Sequence, residues 1–179
     1  MGFIVIMKTS SSSITRRTAI ATILATTALA WSGCATSPPP ASAPDRRAEK
    51  RRALQRLGFA EVPEGWGLNL SGRVLFAPDD ATLSSEGEQT LAQVARTLLG
   101  VGIDHVTVEG HTDNVGAGDH NLRLSQRRAE SVARQLVERG FDDANIVKRG
   151  YGSSRPIAEN TNEAGRAQNR RATLIVASL

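Results

Sequence analysis

The chain has a single cysteine, Cys34, so no internal disulfide can form and pairing says nothing about redox compartment. Aromatic residues are scarce, at 4% of the sequence. Two tryptophans, one tyrosine and four phenylalanines offer little surface for base stacking. The formal net charge of +4 does not restore a nucleic-acid reading, because Lys8, Arg16 and Arg17 lie in the first 33 residues, where there is no Asp or Glu. Without that segment the chain is within one charge of neutral, and nothing in it looks like a basic groove for a phosphate backbone. A long apolar run is missing too: residues 19–30 (AIATILATTALA) are too few for the roughly 20 residues a membrane-spanning helix needs. No internal repeat is visible, and no Gly-x-Ser-x-Gly sequence presents a serine nucleophile. What is present, 40% hydrophobic and 22% charged residues, suits one globular core with accessory segments.

The accessory segments come first. A basic start, a short apolar middle and a small-residue end make residues 1–33 a secretory signal. Cleavage can be drawn after Ala30 or before Cys34. The second choice resembles a lipoprotein signal, with Ser32 and Gly33 small as required and Trp31 where an aliphatic residue usually stands. A lone cysteine between a signal and a linker is best used as a lipid anchor carrying palmitate-type chains; the alternative is a spare thiol. Either Met1 or Met7 can start translation, and the Arg16-Arg17 pair is explained by charge alone. Residues 35–44 (ATSPPPASAP) form a semi-rigid Pro-rich spacer. Residues 45–58 come next as a basic helix with a meagre apolar set, Ala53, Leu54 and Leu57, and Gly58 as its stop, packed lightly on the globular domain.

From residue 64 onward, short apolar runs alternate with amphipathic stretches. Strands are expected at residues 67–70 and 74–76, and a helix over 83–99 capped by Ser84 or Ser85. A strand at 103–109 leads to a helix from about 119 to 139, with Leu122, Ala129, Val132, Ala133, Leu136 and Val137 on its inner side. A strand at 146–149, a short helix at 163–168 and a last strand at 171–176 complete the order. This βαβαβ(α)β order predicts an α/β two-layer sandwich, a mixed sheet covered on one face by helices.

The chemistry is concentrated in residues 108–136, VEGHTDNVGAGDHNLRLSQRRAESVARQL, where a strand ends, a Gly-rich loop bears Asp113, and a helix bears Arg127 and Arg128. Loops held between rigid elements are common places for binding residues. Gly110, His111, Thr112 and Asp113, then Asn121, then Leu124, Ser125, Arg128 and Ala129 resemble the pattern of the OmpA-like or Pal-like peptidoglycan-associated domain. The resemblance continues through residues 74–76, Ala81 and Leu83 upstream, and through residues 150–152, Arg155-Pro156, Asn160 and Asn169-Arg170-Arg171 downstream.

That resemblance implies non-covalent binding of peptidoglycan through the diaminopimelate residue of its stem peptide, in a domain over residues 64–179. It places the family's key acid on Asp113 and its key arginine on Arg128. Thr112, Asn121 and Asp79 take supporting roles, while Ala77 and Pro78 depart from the acidic and aromatic residues often found beside the last of these. The residue chemistry agrees: an ammonium and a carboxylate on one carbon suit a carboxylate and a planar guanidinium fork. By itself, however, an Asp113–Arg128 pair also reads as a plain loop-to-helix salt bridge. Arg127 points about 100° away on the helix, toward solvent.

A metal site can be drawn from His111, Asp113 and His120, with His105. The glycine loop separates His120 from the others and no general base accompanies them, so the expectation is a binding protein with no metal, cofactor or catalysis. The expected protein is tethered by Cys34 to the outer membrane with its domain in the periplasm, and has peptidoglycan and other envelope proteins as partners. The competing expectation is an envelope protein-interaction module for which wall binding is secondary.

Overall fold

The computed structural model describes residues 43–71, 75–76, 79–177 and 179, within a compact unit running from Pro39 to Leu179. The expected signal, the Cys34 anchor and nearly all of the Pro-rich spacer lie outside the described residues, as do Val74, Ala77 and Pro78. The first element, α1 (Ala43–Arg56), turns its basic residues outward, while Ala53 and Leu54 are fully buried and Leu54 joins the main core. Its narrow apolar face is therefore enough to seat the helix, because two small-to-medium side chains in full contact each contribute about 1–2 kcal/mol.

A short hairpin comes next, β1 (Ala60–Val62) and β2 (Gly65–Ser71), joined through Pro63-Glu64. β1 is too short and too exposed to show an alternating pattern in sequence. The strand expected at residues 74–76 is a correction: Leu75 lies in a turn and Phe76 makes only an isolated bridge to Leu83. Both are buried, at 2% and 5% exposure, and adjacent side chains pointing into one core are incompatible with the two-sided alternation of a strand.

α2 (Ser85–Gly100) is capped by Ser84, whose Oγ accepts the Gly87 N–H at 3.0 Å, with Glu86 and Glu88 in the first turn where the helix dipole favours them. Leu91, Val94, Ala95 and Leu98 recur at helical spacing and are all buried. β3 (Val106–Gly110), α3 (Gly118–Glu138), β4 (Ile146–Gly150), α4 (Glu163–Asn169) and β5 (Arg171–Val176) complete the order. The sheet runs β1-β2-β5-β3-β4, with β3 and β4 parallel and every other neighbour antiparallel. It is the mixed α/β sheet the sequence predicts, with β1 at its edge as the strand the sequence reading missed.

Leu122 and Val137 depart from expectation: they are 51% and 38% exposed, not on the inner side of α3. The buried stripe is instead Asn121, Leu124, Ser125 and Arg128, continuing into Ala129, Val132, Ala133 and Leu136. Because the first half of that stripe is mostly polar, hydropathy alone rotates the helix slightly the wrong way.

Candidate functional site

Two glycines set the position of α3. Gly110 at the end of β3 pairs in register with Gly150 at the end of β4. A Cβ on Gly110 would stand 1.9 Å from the Ser125 carbonyl oxygen, and one on Gly150 would stand 2.6 Å from the Gln126 nitrogen. Only bare backbone lets the helix come this close. Ser125, fully buried, fastens the contact by accepting the Gly152 N–H on Oγ at 2.8 Å. The Gly152 carbonyl in turn accepts the Thr112 N–H at 2.9 Å, so the loop after β3 is held directly over the first turns of α3.

Asp79, Thr112, Asp113, Asn121 and Arg128, the five residues singled out in the sequence, all line one cleft of about 470 Å³. Thr112 donates its hydroxyl to the Asp113 carbonyl at 2.9 Å, and Asn121 Nδ2 donates to the Val115 carbonyl at 3.0 Å. These bonds shape the loop, and they aim the Asp113 carboxylate into the cleft. Asp113 Oδ1 accepts the Val115 N–H at 3.0 Å. Asp79 lines the same cleft in a left-handed conformation, φ 54°, and its carboxylate pairs with His120 Nε2 at 2.7 Å.

Arg128 is only 1% exposed. Its Nε donates to the Asp80 carbonyl at 2.9 Å and one terminal nitrogen donates to the His111 carbonyl at 3.2 Å, while the guanidinium carbon lies 5.1 Å from the Phe76 ring centre. Burial pulls its pKa down to about 10, against the opposing pull of Asp113, so it remains a cation at neutral pH. A buried cation held by two carbonyls and an aromatic face is fixed in place before any ligand arrives.

The loop-to-helix pairing considered for Asp113 has another partner. Asp113 Oδ2 accepts from Arg170 at 2.7 Å, and the second arm of Arg170 reaches Glu163 in the first turn of α4. Partial burial opposes its charge, but the hydrogen bonds to Asp113 and Glu163 outweigh this and raise its pKa. Arg170, Arg166, Glu163 and His120 all line the cleft, yet sequence alone gives none of them a role in binding a ligand of this kind. Arg170 lies 57 residues from Asp113, a pairing no local pattern reveals; its only signal is its place in Asn169-Arg170-Arg171.

Behind the loop lies a second polar group. His111, 1% exposed, stacks on Tyr151 with ring centres 5.7 Å apart, and Arg155 covers the Tyr151 ring at 3.7 Å. Burial first, then the nearby charges of Arg171 and Arg155, lower the His111 pKa to about 3. It is therefore a neutral structural wedge. Among the described residues no three His, Cys, Asp or Glu side chains gather as a metal-binding group, and no helix is long and apolar enough to cross a membrane.

The fold and cleft define a class: a mixed-sheet α/β domain presenting fixed opposite charges from the loop after β3 and from α3 beyond it. The OmpA family model matches residues 75–170, and the chain belongs to that family. It is 45% identical over 148 residues to the outer-membrane lipoprotein YfiB of Pseudomonas aeruginosa, covering 83% of this chain and 86% of that protein. Among solved structures it resembles the cell wall anchor of a Pseudomonas aeruginosa secretion apparatus (30% identity, TM-score 0.60, 75% of this chain and 96% of the other). It also resembles the peptidoglycan-associated lipoprotein of Burkholderia pseudomallei (36% identity, TM-score 0.53, 57% of this chain and 86% of the other).

Proposed function

We propose that the cleft binds peptidoglycan reversibly, gripping the zwitterionic end of a diaminopimelate residue, and that the chain thereby ties the outer membrane to the wall. The observation that carries this reading is the convergence of Asp113 and Arg128 on one cleft from two rigidly coupled elements. Asp113 accepts hydrogen bonds from the ligand's ammonium. The fixed cation of Arg128 attracts its carboxylate, and because the guanidinium is already oriented, little freedom is lost on binding. Recognition of this kind breaks no bond and requires no metal or cofactor. Relatives named as an outer-membrane lipoprotein, a cell wall anchor and a peptidoglycan-associated lipoprotein support an envelope location and association with the wall.

In this reading Cys34 carries the lipid in the outer membrane, residues 35–42 form the spacer up to α1, and the folded unit faces the periplasm. Many weak attachments confined between two surfaces hold firmly through effective concentration. Calorimetry of the full-length protein in detergent with a diaminopimelate-containing stem peptide tests the proposal. Saturable binding that disappears in Asp113→Ala is expected; a folded wild type that does not bind contradicts it and favours the protein-interaction module.

A further inference from the structure

The Val115 N–H holds Oδ1 of the Asp113 carboxylate to which the proposed ligand's ammonium would bind, and Arg170 holds Oδ2. Its guanidinium bridges Asp113 and Glu163, and Arg166 Nε donates to the same Glu163 at 3.1 Å. The ion pair with Asp113 is largely shielded, with side chains 18% and 12% exposed, whereas Glu163 is 62% exposed. An ammonium arriving on Asp113 brings a second cation against a carboxylate that already holds one, beside the buried charge of Arg128. Either the two cations crowd each other or Arg170 must turn its arm elsewhere, and a hydrogen-bonding arm turned into the cleft needs a new acceptor.

The geometry points to Arg170 as a specificity residue: it yields Asp113 to the ligand's ammonium and takes a second free carboxylate of the same ligand, so the cleft selects a zwitterionic centre accompanied by another ionised carboxyl group. This rests on the proposed function and narrows its ligand class. Amidation of that neighbouring carboxyl group removes the acceptor and leaves Arg170 competing for Asp113. In a stem peptide the second carboxylate can come from the main-chain end of diaminopimelate or from the preceding glutamate.

Three tripeptides containing alanine, glutamate and diaminopimelate separate these sources: one with both carboxylates free, one amidated at the diaminopimelate main-chain end, and one amidated at the glutamate. Binding to full-length protein in detergent is expected to weaken by about tenfold for one amide, the cost of losing one charge-assisted contact. Arg170→Gln removes that gap, leaving all three ligands within about twofold, because its neutral amide neither blocks Asp113 nor demands an anion. Glu163→Gln, an exposed change that leaves the packing intact, replaces the rival anion by a neutral acceptor and widens the gap. Equal binding of all three ligands by the wild type overturns the inference while leaving the zwitterion site standing. So does a gap that persists in folded Arg170→Gln, or one that narrows in Glu163→Gln. Failure of folded wild type to bind any of them overturns the underlying site as well.

Discussion

The two halves of the buried face of α3 are built from different materials. Toward the amino terminus it buries Asn121, Ser125 and Arg128 beside Leu124; toward the carboxyl terminus it buries Ala129, Val132, Ala133 and Leu136, with Gln135 as the polar exception. Both halves are equally dry, with Arg128 at 1% exposure and Leu136 at 0%. The apolar half needs no explanation beyond the removal of hydrocarbon from water. The polar half does, because burying a guanidinium is costly even with carbonyl partners, and a hydrocarbon of similar volume often serves a fold equally well. The difference teaches that one end of the helix builds the core and the other gives up core to make a site.

The largest effect comes from breaking the seam that joins the halves to the sheet. Gly110→Ala places a methyl group 1.9 Å from the Ser125 carbonyl oxygen, a backbone atom with nowhere to move. A loss of about 3 kcal/mol or more is expected in urea melts, with the loop and cleft lost together. Leu136→Ala acts on the apolar half alone, with an expected cost of about 2–5 kcal/mol and unchanged affinity in the molecules that remain folded.

The wedge behind the loop makes a smaller, pH-dependent contribution. His111 titrates near 3 when folded, against an ordinary value of 6.5, so between those values the unfolded chain binds more protons. Its contribution is complete above the unfolded pKa and is lost as pH falls from about 6.5 toward 3, at up to about 1.4 kcal/mol per pH unit. Melts at pH 7 and pH 4.5 are expected to show wild type losing roughly 2 kcal/mol more than His111→Phe over that interval. An equal loss in both proteins contradicts the wedge. The smallest effect lies far from the cleft: Ser84→Ala removes the bond to the Gly87 N–H and is expected to cost about 1 kcal/mol without altering binding.

The same division explains what is legible in the sequence. The apolar half of α3, the core face of α2 and the strands β3 to β5 obey hydrophobic period and turn residues, and the motif around Asp113 and Arg128 stands out through its length and spacing. The polar half disturbs the periodicity, which is why hydropathy puts Leu122 and Val137 on the wrong side. Leu75 and Phe76 read as strand because side-by-side burial in a turn resembles a short apolar run. Arg170 stays hidden for a different reason: its meeting with Asp113 depends on β5 returning beside β3, a long-range pairing without a local signature.

Arg128→Met tests most directly whether the polar half is kept for a ligand, with affinity for the diaminopimelate stem peptide and the urea midpoint measured on the same full-length protein. The expected result is a loss of at least about a hundredfold in affinity with at most a modest fall in the midpoint, since methionine removes the costly buried charge but leaves the Asp80 and His111 carbonyls without this donor. Retained binding with a markedly lower midpoint would contradict it, and would make the guanidinium a brace between the Asp80 and His111 carbonyls.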